Sequence, residues 1–268
     1  DATGAEQIEA GEARRYMRYR PTQGARIPLG LRQFVRSLET AERDAAGSNL
    51  LAYDGFENLA GHLRRGRSGF GWSGGWESGQ RGRRQIATVV DAPAGAVFGM
   101  ERSGRRLLQL TEGEAIRRQL ERPLSLEFDN VYFVSFLLQR DCEPGESGRF
   151  FEASVSGEIG SKGRRARRGI AYGVSSEGLP FTKSGGSIVQ AAPPIEDSVT
   201  YFCVMKILVS AEGNVQTSYR VYRPGESIAD VEPSVWTCED STSQVDSSVS
   251  YVRFSVGAGG MYRIDELK

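Results

Sequence analysis

A single histidine, His62, and three cysteines, Cys142, Cys203 and Cys238, stand in a chain of 268 residues. That scarcity excludes whole classes of chemistry. Nucleophilic catalysis of the serine or cysteine type needs a base held beside the nucleophile, and the one histidine sits in a glycine-rich connection. The cysteines show no Cys-x-x-Cys or other metal-ligand spacing. Their odd number permits one disulfide at most, and three free thiols fit equally well. No apolar run reaches the roughly 18 residues that a membrane-spanning helix needs, and no stretch has the form of a signal peptide. Because the chain begins at Asp1 rather than Met, it reads as a processed or excised piece.

Lysine is scarce as well. Only 4 of the 34 basic residues are Lys, which leaves 30 arginines. Compositional bias of a genome accounts for such a ratio, and so does a need for planar, bidentate groups that suit carboxylate, sulfate or phosphate. Formal charge is zero but unevenly placed: from Ile170 onward there are 12 Asp/Glu against 7 Lys/Arg. The whole chain therefore lacks the balance of a nucleic-acid binder, although its first part is basic.

What is present is short apolar segments of period near two, separated by Gly, Pro, Asp and Ser, the pattern of an all-β chain. Strands are predicted at 50–54, 86–90, 96–100, 106–110, 124–128, 131–139, 150–156, 170–174, 199–210, 215–223, 250–256 and 261–267. The segment EGEAIRRQLER is the one stretch with helical spacing. So many strands with so little helix imply two stacked antiparallel sheets. In VQTSYRVYR, the residues Val215, Thr217, Tyr219 and Val221 share one face, as in a strand half on a core and half in water. Residues 1–48 cannot bury a core of their own and form an N-terminal arm and linker; residues 49–268 form the sandwich.

The order LLAYDGFE, GFGWSGGW, VYFVSFLLQR, YFCVMKILVSAEGNVQTSYRVYRPGE, EPSVWT and SYVRFSVGAGGMYRIDELK resembles the laminin-G-like, concanavalin A-like sandwich domains of planctomycete-type bacterial surface proteins. The upstream IEAGEARRY is similar to the last hairpin of an FecR-type domain. The resemblance implies a jelly-roll of two antiparallel sheets and a non-catalytic recognition module of the cell envelope or extracellular space. Its partner would be a polysaccharide or a neighbouring surface protein. A structural subunit of a surface layer or fibre, self-assembling through residues 1–48, and a sensor ectodomain of an FecR-type protein are the alternatives. The resemblance also implies a structural Ca²⁺ tying first strand to last, held by Asp265 with Asp54 or Glu57 and nearby carbonyls, since hard oxygen ligands suit that ion.

Three further features carry chemistry. Glu127 and Asp129 stand two apart on a predicted strand, as in laminarinase-like hydrolases, but Tyr132 and Phe133 occupy the place of the second catalytic acid. No enzyme is expected. Trp236 is the best platform for a sugar ring, while Trp72 and Trp76 serve either as platforms or as plugs of the sandwich edge. Lys162, Arg164, Arg165, Arg167 and Arg168 form an exposed cluster that reads either as a solvated hairpin or as a polyanion patch. Nucleic acid is not its expected partner, because no aromatic residues interleave the arginines.

Overall fold

The computed structural model describes residues 50–268, apart from 57–60, 64–67, 79–86, 93–105, 112, 128, 142–149, 158–168, 229–231, 234, 243–244 and the side chain of His62. The N-terminal arm, Glu57, Cys142 and the cluster Lys162 to Arg168 fall outside those residues. Fifteen strands are found among them. They are β1 (Gly61–His62), β2 (Glu77–Ser78), β3 (Thr88–Asp91), β4 (Arg106–Thr111), β5 (Ala115–Ser125), β6 (Asn130–Arg140), β7 (Phe151–Ser156) and β8 (Ile170–Val174). Then come β9 (Pro180–Ser184), β10 (Ser187–Gln190), β11 (Thr200–Val209), β12 (Val215–Tyr222), β13 (Cys238–Thr242), β14 (Ser248–Val256) and β15 (Met261–Asp265).

They build two sheets, an eight-stranded one in the order β1-β3-β4-β15-β6-β11-β12-β13 and a seven-stranded one in the order β10-β9-β8-β7-β14-β5-β2. Each pairing among these strands is antiparallel. The expected all-β sandwich is what forms. Strands distant in sequence lie side by side, β15 between β4 and β6, and β14 between β5 and β7, so the C-terminal strands close both sheets.

Alternation explains the core. Val215, Thr217, Tyr219 and Val221 of β12 all face inward and are buried. From the smaller sheet, Phe151, Ala153 and Val155 of β7 meet Val252, Phe254 and Val256 of β14. Phe254 stacks on Phe151 and on Trp76, with ring centroids 5.9 and 5.7 Å apart, and Phe136 of the larger sheet meets Phe254 edge-on at 6.0 Å. Such pairs contribute about 0.5–1.5 kcal/mol each beyond the area they bury. Polar residues join the two sheets as well. Thr182 and Thr217 are fully buried and share a hydrogen bond of 3.1 Å across the interior.

Several expectations need correction. EGEAIRRQLER is not helical; it supplies most of β5, in which Ile116, Arg118 and Leu120 point inward while Arg117 and Gln119 point out. An arginine on the inward face masks the two-residue period. The strand expected at 124–128 ends at Ser125, so Glu127 and Asp129 are exposed in the bend before β6 rather than sharing a strand face. The segment LLAYD forms bridges rather than a full strand, Tyr53 to Phe70 and Asp54 to Leu267. The first and last segments do meet, through Asp54 N–H donating to Leu267 O at 2.8 Å and Leu267 N–H donating back at 3.0 Å. Strands β9 and β13 are too polar, and β10 with four residues too short, to have been read from sequence. The strand expected at 96–100 lies outside the described residues.

Candidate functional site

The outer face of the smaller sheet follows from the same alternation. With Phe151, Ala153 and Val155 inward on β7, Glu152, Ser154 and Ser156 point out; with Val252 and Phe254 inward on β14, Tyr251, Arg253 and Ser255 point out. Strand pairing arranges them in rows across the sheet. One row runs Ala115, Ser255, Glu152, Gly173. The next runs Glu77, Arg117, Arg253, Ser154, Ala171, Lys183.

At one end of these rows lies an open pocket of about 400 Å³, lined by Glu152, Arg253 and Ser255, with Phe150, Gly113 and Gly257 among the residues at its rim. Phe150 is 38% exposed, an unusual state for a large aromatic, and its carbonyl accepts the Gly257 N–H at 2.9 Å. That bond fixes the segment leading into β7, and with it the position of the ring. Arg253 Nε is shielded from solvent and has no hydrogen-bond partner among the described residues. Glu152 lines the same pocket, yet no ion pair joins it to Arg253. Arg117, directly opposite Arg253, is by contrast satisfied: it pairs with Glu77 at 3.1 Å and its guanidinium lies 4.8 Å from the Tyr251 ring.

The residues singled out from sequence are placed elsewhere. Asp54 is fully buried. Its carboxylate accepts from Phe56 N–H at 2.8 Å, Trp76 Nε1 at 2.8 Å, Ser68 Oγ at 2.5 Å and the Arg118 guanidinium. Arg118 in turn donates from Nε to Gly74 O at 2.8 Å and from Nη1, which also meets Asp54, to Ser68 O at 2.7 Å. Burial pushes the Asp54 carboxyl up, against the pull of Arg118 and the three other donors. Both carboxylate oxygens of Asp54 are thus engaged by donors within the chain. Asp265 is buried on β15, accepts the Glu266 N–H at 2.9 Å and has Lys268 close enough to feel its charge. No group of three or more His, Cys, Asp or Glu that could hold a metal occurs among the described residues.

Trp76 is 1% exposed and belongs to the core, so it is not a sugar platform. Trp72 is half-buried, donates to Tyr53 O at 3.0 Å and has the Arg118 guanidinium 5.0 Å from its ring. Trp236 is half-buried in the connection between β12 and β13, beside the exposed Val235. The segment GFGWSGGW is therefore a structural clamp around one buried ion pair. Its Ser73 has Gly-x-Ser-x-Gly spacing but sits exposed in a bend, without the strand-to-helix turn of a nucleophile elbow. Cys203 and Cys238 are buried free thiols. Cys203 accepts from Tyr219 Oη at 3.2 Å, and burial pushes its thiol up to about 12.

The pocket residues Phe150, Glu152, Arg253 and Ser255 escaped the sequence reading. Alternation within FFEASVS and SYVRFSV does put Glu152 and Arg253 on non-core faces. Nothing local says that β7 and β14 are neighbours.

No protein-family model matches the chain, and no curated protein matches its sequence. Among solved structures, it is similar to lectin II from Ulex europaeus, with 11% identity and a TM-score of 0.42 over 78% of this chain and 97% of that one. It is also similar to an endo-β-1,4-glucuronan lyase from the fungus Trichoderma reesei, with 12% identity and a TM-score of 0.48 over 80% of this chain and 92% of that one. A legume lectin-like domain from Entamoeba histolytica matches at 13% identity and a TM-score of 0.36, over 60% of this chain and 82% of that one. No site residue is carried over from any of them.

Proposed function

We propose that this sandwich is a non-catalytic carbohydrate-recognition module whose ligand site is the pocket on the outer face of the smaller sheet. The observation that carries the proposal is the lining: a positive and a negative side chain share one cavity without pairing, under an exposed aromatic ring. A guanidinium supplies planar donors, a carboxylate supplies acceptors, and Ser255 supplies a hydroxyl. Together they match the alternating donors and acceptors of a sugar edge, while Phe150 offers a surface for the apolar face of the ring. A few polar groups in a mostly preformed concavity is the usual build of a small-ligand site.

The same lining argues against hydrolysis. Glycoside hydrolases flank the scissile bond with two carboxylates, and Glu152 is the only acid among the described residues lining this pocket. Binding of the protein to an array of immobilised glycans, followed by calorimetry on the hits, tests the proposal. Phe150→Ala and Arg253→Gln should each weaken binding by about tenfold or more, a loss near 1.4 kcal/mol, with no release of reducing ends by the parent. A parent that binds no glycan, or variants that bind as tightly as the parent, would sink it.

A further inference from the structure

Resting on that reading, we infer that the ligand is an anionic saccharide, one bearing carboxylate or sulfate groups, that lies across the strands of the smaller sheet between Arg253 and Lys183. The argument begins with like charge. Arg117 and Arg253 are directly opposite each other on β5 and β14, and two cations in that relation destabilise a sheet. Glu77 and the Tyr251 ring take up Arg117. No described residue takes up Arg253. Its carboxylate neighbour Glu152 sits one row away, opposite Ser255 rather than opposite Arg253, and does not pair with it. An oxyanion on Arg253 would satisfy the buried Nε, offset the repulsion from Arg117 and form the charge-assisted bonds for which a guanidinium fork is shaped.

The row beyond Arg253 continues the site. Ser154 and Ala171 come next, both small, and then Lys183, which forms no ion pair among the described residues. Ser154 is half-buried and Ala171 is buried, so a ligand on this row would pass over short side chains at its base. Arg253 on β14 and Lys183 on β9 are three strands apart, a distance of roughly 14 Å at the usual strand separation. One sugar chain can therefore present an acidic group to each end of the row. Glu152 sets the orientation: it repels the oxyanion from the neighbouring row and accepts hydroxyl groups there instead.

Calorimetry with a galacturonate tetramer, its fully methyl-esterified form and a chondroitin sulfate tetrasaccharide tests this. At low salt, at least one of the two anionic probes should bind ten times or more tighter than the neutral ester, and which of them does so assigns carboxylate or sulfate. Arg253→Gln should bring that anionic probe down to the level of the ester. Lys183→Gln should weaken the tetramer about threefold or more, while leaving the corresponding acidic monosaccharide unaffected. If the ester binds as tightly as the acids and Phe150→Ala abolishes both, carbohydrate recognition stands and the anionic inference falls. If neither anion binds a protein that binds neutral glycans, the inference falls as well. Absence of binding to any glycan would remove the underlying reading instead.

Discussion

Asp54 and Arg118 carry opposite charges where neither meets water, their side chains being 0% and 3% exposed. Desolvating two ions is expensive, and only good geometry with further hydrogen bonds offsets it. Here each remaining polar atom has a use: Trp76, Ser68 and Phe56 surround the carboxylate, and Gly74 and Ser68 carbonyls take the guanidinium. Removing one partner leaves a buried, uncompensated charge. Arg118→Met should therefore cost about 3–5 kcal/mol in urea unfolding, whereas Asp54→Leu with Arg118→Met should cost much less than the sum of the single changes. Because the Asp54 charge is already neutralised, chelating calcium should leave the melting temperature unchanged. A fall on chelation would support a metal at Asp54 and Asp265.

At the scale of the element, the same ion pair explains what sequence could and could not tell. The segment around it is two glycine-rich turns folded against the first apolar stretch. Gly71 has φ +77°, and a Cβ there would sit 1.9 Å from Leu51 O. Gly71→Ala should accordingly destabilise by about 1–3 kcal/mol from backbone strain, and more from the collision, while Gly74→Ala, with open space around it and an ordinary φ, should stay within about 1 kcal/mol. Equal effects at the two positions would show that the turn is not packed as described. Strands whose inward residues are apolar, such as β7, β11 and β14, were legible because period and hydrophobicity agree. Strand β5 was not, since Arg118 faces the core. Strands β9 and β13 hid for a related reason: Thr182 and Ser184 point inward on β9 and find hydroxyl or carboxylate partners on β12 and β13. The pocket was less legible still, because Glu152 and Arg253 become neighbours only through the pairing of β7 with β14. A local pattern assigns a face but not a neighbour.

For the whole molecule, the interior of the sandwich holds weak acids in their neutral form. Burial pushes the Cys203 thiol from 9.0 up to about 12 and the Cys238 thiol up to about 11, and it raises the Tyr172 and Tyr219 hydroxyls well above 10.0. Each folded value exceeds its unfolded one. The unfolded chain therefore loses these protons first as pH rises, and the stability the neutral groups contribute is full below about pH 9 and declines above it. The midpoint of urea unfolding should fall between about pH 9 and pH 12, less steeply up to about pH 10.5, because burial holds the Lys268 amine down to about 8 and that group works in the opposite sense there. Cys203→Ala should lower the midpoint at pH 7, through the cavity it leaves, yet make the alkaline decline shallower. Alkylation followed by peptide mapping offers an independent check. With its thiol held near 12, Cys203 is thiolate in about one molecule in ten thousand at pH 8, and only the thiolate reacts. It should stay unlabelled in the folded protein and react fully in urea. A midpoint that holds level to pH 11, or rapid labelling of Cys203 without denaturant, would mean that the core between the two sheets admits water.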